Sequence, residues 1–328
     1  MRVLVTGGAG YIGSHAVRRL QMHGHDVWVL DNLCFGHAAA VGQAPLLRLD
    51  VLNTEAVTAA LREHRIDAVM HFAAFAFVGE SVRDPEKYYH NNVGGSLSLL
   101  SAMRRAAVNR LVFSSTCATY GVPTSVPITE ATPQQPINPY GRTKLIVEWL
   151  LADYAAAYGL GYAALRYFNA AGAAKDGAIG EDHQPETHLI PLALQVALGQ
   201  RPHLDVFGDD YPTPDGTCIR DYIHVDDLAE AHVLALHQLQ PGQGLKLNLG
   251  TGRGFSVREV LNACRAVTGR PIPARIAPRR EGDPPALVAA TAQAEQVLGF
   301  KACYDTIEAI VETAWRWHRD HPHGYGDR

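Results

Sequence analysis

Tyr140 and Lys144 stand four residues apart in the run Tyr140-Gly141-Arg142-Thr143-Lys144. In a helix that spacing stacks the two side chains on one face. An ammonium beside a phenol favours the phenolate and draws the tyrosine pKa from about 10 towards neutrality. A phenolate poised there is a general base for the hydroxyl of an alcohol or sugar. Thr116, at the end of Phe113-Ser114-Ser115-Thr116, offers a hydroxyl to the same substrate oxygen. Removing that proton is half of an oxidation, and the other half needs an acceptor for the hydride on the adjacent carbon.

The start of the chain provides a place for such an acceptor. Gly8-Ala9-Gly10-Tyr11-Ile12-Gly13 fits GxGxxG, and Gly7, Gly10 and Gly13 also fit GxxGxxG. Glycines let the backbone turn tightly and bring amide N–H groups and a helix N-terminus against a pyrophosphate. The motif follows one expected strand, opens a helix, and is followed by Asp31 at the end of the next strand, which is the context of a dinucleotide site. Asp31 would bond the adenosine ribose hydroxyls and repel a 2′-phosphate, so NAD is expected rather than NADP. Asn32 is beside it for the same ribose. Asp50, ending a third strand, is placed either to meet the adenine amino group or to cap the next helix.

These residues need a sheet to carry them. Short apolar runs at 3–5, 27–30, 46–49, 68–71, 111–113 and 162–165 read as strands buried on both faces. Helical periodicity fills intervening segments such as 14–24 and 54–64. The alternation predicts an α/β fold, a Rossmann-type doubly wound parallel sheet. After about Gly172 the composition shifts to Gly, Pro, Asp and His, as in loops around a ligand. Helices are expected at 190–198 and 226–239, and a strand at 246–249 that rejoins the first sheet. A Pro/Arg-rich loop over 271–285 precedes two closing helices, one at 307–319. The expected domains are an NAD-binding Rossmann domain over 1–172, rejoined by about 225–250, and a smaller mixed α/β substrate-binding domain over 173–328.

Bulk composition excludes several classes. The 328 residues are 47% hydrophobic and 19% charged with a net charge of −4, which gives no reason to expect nucleic acid or an anionic membrane as partner. No apolar run reaches the ~18 residues of a membrane span, and no signal-peptide core precedes the glycine loop. A cytoplasmic protein is expected. The five cysteines are scattered without a CxxC and read as buried or half-buried free thiols. Among sixteen histidines there is no HExxH. His318, His321 and His323 read as a solvated C-terminal tail, and no metal is expected.

Longer motifs add a resemblance. Thr6 to His15, Asp31-Asn32-Leu33, Val78-Gly79-Glu80-Ser81, Asn138-Pro139-Tyr140-Gly141 and Leu165-Arg166-Tyr167-Phe168-Asn169 resemble the extended short-chain dehydrogenase/reductase family. Asp215-Gly216-Thr217-Cys218-Ile219-Arg220-Asp221-Tyr222-Ile223-His224-Val225 and Arg279-Arg280-Glu281-Gly282-Asp283 are similar to its UDP-glucose 4-epimerase branch, and the likeness runs from residue 1 to about 320.

The resemblance implies a catalytic set of Thr116, Tyr140 and Lys144. It implies NAD held by Gly7, Gly10, Tyr11, Ile12, Gly13, Asp31, Asn32, Asp50, Val51, Phe72, Ala73, Asn91, Tyr140, Lys144 and Phe168. A UDP-sugar would meet Thr116, Tyr140, Asn169, His188, Leu189, Phe207, Arg220, Arg280, Asp283 and Leu287. The implied activity is interconversion of UDP-glucose and UDP-galactose in galactose metabolism: oxidation to a 4-keto sugar, rotation, and hydride return from the opposite face, by a homodimer. Guanidinium groups suit a diphosphate, although Arg220 or Arg280 taken singly would read as a surface ion-pair residue.

Three positions depart from the family pattern. Ala76 stands where a lysine is often found near the cofactor. His188 replaces an asparagine near the diphosphate, and its charge would make UDP affinity pH-dependent. Leu287 is intermediate between the bulky and small residues that narrow or widen the sugar pocket. A UDP-xylose/UDP-arabinose or UDP-N-acetylglucosamine 4-epimerase therefore stays open. A 4,6-dehydratase would want an acid/base pair where Cys117-Ala118 follow Thr116, and a non-catalytic NAD-binding module would not need the Tyr/Lys pair.

Overall fold

Apolar runs too short for helices make the first strands of the computed structural model, which describes residues 1–280 and 283–326. β1 (Arg2–Thr6) leads through the glycine turn into α1 (Tyr11–Met22) and back to β2 (Asp26–Leu30). β3 (Leu46–Leu47), α2 (Thr54–Glu63) and β4 (Ala68–His71) follow. Short helices α3 (Val78–Arg83) and α4 (Pro85–Tyr88) precede α5 (Gly95–Arg105) and β5 (Arg110–Thr116). The long α6 (Pro139–Tyr158) then crosses to β6 (Gly161–Tyr167).

The second half begins with β7 (Asn169–Ala171), α7 (Leu189–Ala197), β8 (Leu204–Phe207) and β9 (Ile219–His224). After it come α8 (Val225–Gln238), β10 (Gly244–Leu249), β11 (Gly254–Ser256) and α9 (Val257–Thr268). The chain ends through β12 (Ala274–Ala277), β13 (Ala286–Leu287), α10 (Ala292–Leu298) and α11 (Ile307–Asp320). Glu281 and Gly282, within the Arg279–Asp283 run, lie outside the described residues.

Seven strands form one parallel sheet in the order β10-β6-β5-β4-β1-β2-β3. This is the doubly wound fold expected from the alternating pattern. The order reverses between β1 and β4, and open α/β sheets bind ligands beyond the carboxyl ends of the strands at such a reversal. Alternate side chains of a strand reach opposite faces, so each face has its own core. Val3 and Val5 pack with Val17 and Leu20 of α1 and Leu228 and Val233 of α8. Leu4 and Val69 pack with Leu61 of α2, Leu99 and Met103 of α5, and Val147 and Leu151 of α6. A third core joins α7, α9 and α11 through Leu194, Leu261 and Val311. It lies against a second sheet in which β9 is flanked by β11 and β13 and also pairs with β7.

Four expectations are corrected. The strand at 46–49 is reduced to β3, half-buried at the sheet edge with one neighbour, and Arg48 beyond it is exposed. The loop over 271–285 contains β12, which pairs in parallel with β8; it is four residues long and largely exposed. Cys34 and Cys303 are exposed, whereas Cys117 and Cys264 are buried. The C-terminal histidines are not all tail: His318 belongs to α11, and the His321 ring stacks on Trp317 at 3.8 Å. Among the described residues no helix is long and apolar enough to cross a membrane.

Local signals set the ends of α6. Asn138 caps it by accepting from Gly141 N at 2.8 Å, Pro139 sits in the first turn, and Gly159 stops it with φ 74°. The middle of α6 is fixed from below by a buried ion pair. Arg166 of β6 donates from Nε to Glu148 Oε1 at 3.0 Å and from Nη2 to Oε2 at 2.6 Å. Ser115 Oγ donates to the same carboxylate at 2.6 Å, and Arg166 Nη1 donates to Tyr120 Oη at 2.8 Å. Removing one partner of a buried pair leaves an uncompensated charge. Arg166→Met is therefore expected to lower unfolding free energy by about 3–5 kcal/mol, read as a fall in the urea midpoint.

Candidate active site

The turn between β1 and α1 has no room for side chains. Gly7 has φ +72°, and a Cβ there would lie 2.5 Å from Ala73 N; one on Gly13 would lie 2.1 Å from Gly7 O. Gly10 precedes the first residue of α1, and no side chain caps that end, which leaves first-turn N–H groups of Tyr11 and Ile12 to an outside acceptor. The Tyr11 hydroxyl donates to Gly172 O at 2.7 Å. Asp31, just past β2, accepts from Ala9 N at 3.0 Å and Leu33 N at 2.8 Å, and burial raises its pKa. Asn32 donates to Asp50 Oδ2 at 2.9 Å. Asp50 does not cap α2, since Asn53 does so by accepting from Ala56 N at 3.1 Å. Val51 is buried in the core beneath, and Phe72 and Ala73 follow β4 against Gly7. Asn91 lies in a π-helical turn over 89–94 and donates to Asn92 Oδ1 at 3.0 Å. No lysine stands at Ala76, but Lys87 comes close by: its Nζ pairs with Glu80 at 2.7 Å and lies 4.4 Å from the Phe75 ring centre.

Tyr140 and Lys144 lie in the first turns of α6, both buried, above the C-terminal end of β5, where Thr116 is also buried. The expected electrostatics are corrected here. Lys144 Nζ donates to Ser114 O at 2.8 Å and lies 5.9 Å from the centre of the Tyr140 ring. Burial raises the Tyr140 pKa, while a hydrogen bond with Thr116 pulls the other way. Burial also pushes Lys144 down to about 7. The protein alone therefore holds a protonated phenol, because low polarity penalises phenolate and ammonium alike. Sequence reasoning did not find the supports of this helix start: Ser81 Oγ accepts from Tyr140 N at 3.2 Å, and Asn92 Nδ2 donates to Thr143 Oγ1 at 3.1 Å.

The second sheet brings another group to the same edge. Leu287 of β13 stands in register with Arg220 of β9. Leu287 packs on a cluster of Cys117, Tyr120, Ile128, Phe168 and Ala289, so it borders the residue that follows Thr116. Arg220 forms an ion pair with Asp283 and donates from Nη1 to Pro284 O at 3.0 Å. The Arg280 guanidinium lies over the Phe207 ring at 4.1 Å. Asn169 opens β7 in register with Tyr222 of β9, and Leu189 opens α7.

His188 is engaged within its own loop. Its Nδ1 meets Glu181 Oε1 at 2.7 Å and Glu186 Oε1 at 3.1 Å. His183 meets the same Glu181 oxygen at 3.0 Å. The spacing Glu181-x-His183-x-x-Glu186-x-His188 was the available signal for this group, which a search for HExxH passes over.

Comparisons with known proteins bear on this arrangement. The model of the NAD dependent epimerase/dehydratase family matches residues 3–250. The UDP-glucose 4-epimerase of Halalkalibacterium halodurans is 55% identical over 326 residues, covering 99% of this chain and 98% of that one. The crystal structure of UDP-glucose 4-epimerase from Brucella ovis in complex with NAD superposes with a TM-score of 0.93 at 54% identity, over 96% of this chain and 97% of that one. The enzyme from Bifidobacterium longum in complex with NAD+ and UDP gives a TM-score of 0.95 at 40% identity, over 99% of this chain and 100% of that one.

The depressed Lys144 pKa has a consequence for stability. The unfolded chain binds this proton up to about 10.4, whereas the folded chain releases it near about 7. Across that window the unfolded state holds more protons, so this lysine makes stability rise with pH. Lys144→Met is expected to flatten that part of the profile, measured as urea midpoints at successive pH values.

Proposed function

The chain belongs to the NAD dependent epimerase/dehydratase family, and from that premise we propose that it interconverts UDP-glucose and UDP-galactose by oxidation and re-reduction at the sugar C4. The observation that carries this reading is the register of Leu287 with Arg220 beside the cluster that includes Phe168 and Cys117. Leu287 borders Cys117, which follows Thr116, and its neighbour in register, Arg220, has a guanidinium suited to a diphosphate. Relatives of that name at 55% identity support the substrate.

The residues present fit NAD. The glycine turn packs so closely on Ala73 and on itself that a Cβ at Gly7 or Gly13 would displace it, and that tight turn is what brings the start of α1 to a pyrophosphate. The uncapped start of α1 offers N–H groups to a pyrophosphate, and the Asp31 carboxylate keeps lone pairs for a ribose. Val51, Phe72, Ala73, Asn91 and Phe168 would line the remainder. When bound, NAD supplies reversible two-electron oxidation at the sugar C4.

The protein moves the proton. Tyr140 Oη would take the proton of the sugar O4 hydroxyl and give it back, and Thr116 would orient that hydroxyl. Phenolate and ammonium are coupled, so a proton retained on Lys144 favours its loss from Tyr140. Arg220, Arg280, Asp283, Asn169, His188, Leu189 and Phe207 would hold the UDP portion. Few of these bear on the sugar, and Leu287 is the side chain that would limit its size. The working form in this reading is a cytoplasmic homodimer joined through α5 and α6, a pairing supported by the 43% and 57% exposure of Leu97 and Trp149.

The test is a product assay with UDP-galactose and no added NAD, resolved by chromatography. Conversion to UDP-glucose is expected. Tyr140→Phe should lose about 10²–10⁴-fold in turnover while retaining co-purified NAD. Leu287→Gly should raise the rate on UDP-N-acetylgalactosamine relative to UDP-galactose. No conversion of any of these sugars by the wild-type protein, even with NAD supplied, would overturn the reading.

A further inference from the structure

Glu181, His183, Glu186 and His188 converge in the loop between β7 and α7, with one donor atom from each inside a 4.8 Å span. The two carboxylates are buried, at 4% and 5% side-chain exposure. Among the described residues the ion-pair partners of both are these imidazoles, with no arginine or lysine. Carboxylates removed from water require a cation or several donors. Glu186 Oε1 also accepts from the backbone N–H groups of Thr187 and His188 at 2.7 and 2.8 Å, whereas among the described residues the Glu181 carboxylate has only the imidazoles, which meet the requirement either by holding protons or by sharing a metal ion.

We propose that this group is a zinc-class transition-metal site. Two carboxylate oxygens and two imidazole nitrogens are a donor set for zinc, whereas calcium and magnesium select oxygen alone. Tetrahedral bonds of about 2.0–2.2 Å put donors roughly 3.3–3.6 Å apart. The four atoms here lie between 2.7 Å and 4.8 Å from one another, a spread that side-chain rotation closes. Four protein ligands leave no open position, so the ion would be structural rather than a Lewis acid for substrate.

The location defines what the ion would hold. The His183 ring meets Tyr11 and Phe77 edge-on, each at 6.1 Å between ring centres. Glu181 O accepts from Trp317 Nε1 at 3.2 Å, and Gly180 O accepts from the Tyr325 hydroxyl at 3.1 Å. The fourth ligand, His188, immediately precedes α7. The ion would therefore fasten the first residue of the glycine-turn helix, the end of α11 and the start of α7 to one loop. His188 would ligate through Nδ1, the atom that meets both carboxylates, and keep Nε2 for the UDP portion, so the ion site does not depend on which UDP-sugar is turned over.

The test uses tag-free protein purified without chelator and analysed for metal by mass spectrometry. About one zinc per chain is expected, with a chelator lowering the thermal midpoint. His183→Gln and Glu186→Gln should each lose the metal, and their midpoints should be insensitive to the chelator. As a check that does not depend on either variant folding, Co²⁺ added to metal-free wild-type protein should give the visible absorption of a four-coordinate site, and zinc should abolish it. Wild-type protein without zinc, without a Co²⁺ band and indifferent to chelator would overturn the proposal, leaving carboxylate–imidazolium pairs. So would zinc retained at full occupancy by folded His183→Gln, which would assign the ion elsewhere.

Discussion

Glu148 and Arg166 meet with 0% and 3% of their side chains exposed, and the upper edge of the sheet is registered through them. Two charges taken out of water are tolerable only when their remaining hydrogen-bonding capacity is met. Ser115, Gln134 and Tyr120 provide that here. These partners come from β5 and from the segment leading to α6, and Tyr120 continues to Asn248 of β10 at 2.7 Å. One carboxylate thus ties together α6 and three adjacent strands. Lys144 and Tyr140 lie four and eight residues before Glu148 on α6, and Thr116 is the neighbour of Ser115 on β5. The height of the phenol above the threonine is set by an ion pair that need not touch any ligand.

The parallel sheet and the smaller one divide the work. The first places the glycine turn, Thr116, Tyr140 and Lys144 along its C-terminal edge. The second places Arg220 and Leu287 side by side, then meets the first through a small cluster around Phe168, Ile128 and Ala289. That junction is further fixed by Ile128, which forms an isolated parallel bridge to Ala289 just past β13. Under the proposed function the arrangement separates the acid/base group from the diphosphate anchor. The sugar would lie between two rigid sheets with little to grip it.

Burial, rather than pairing, dominates the electrostatics around Tyr140. It raises Tyr140, lowers Lys144 to about 7 and lowers His71 to about 3. His71 is kept neutral between the hydroxyls of Thr6 and Ser96, at 2.7 and 2.9 Å. Near neutral pH only Lys144 of these three groups is poised to gain or lose its proton. The i,i+4 spacing of Tyr140 and Lys144 predicted proximity correctly, but it could not predict that the ammonium turns to the Ser114 carbonyl.

The sequence by itself determined what is local. Apolar runs marked the inner strands of the sheet, because a strand covered on both faces has no polar side to disguise it. The glycine turn was legible because its steric demands fall within a few consecutive residues. Asn138, Pro139 and Gly159 delimited α6 for the same reason. Tertiary structure alone decided whatever depends on distant partners. β12 and β13 exist because β8 and β9 offer them hydrogen bonds, since strands of four and two residues are too short to declare a period. The edge strand β3 shrank for lack of a second neighbour. Leu287 came to lie beside Arg220 and near Thr116 through strand register across more than sixty residues of chain. The Glu181–His188 group lay within eight residues of sequence, yet its convergence was set by the packing of its loop on Tyr11, Phe77 and Trp317. Spacing supplies candidates for a site, but burial and the distant elements packed against it decide what those candidates touch.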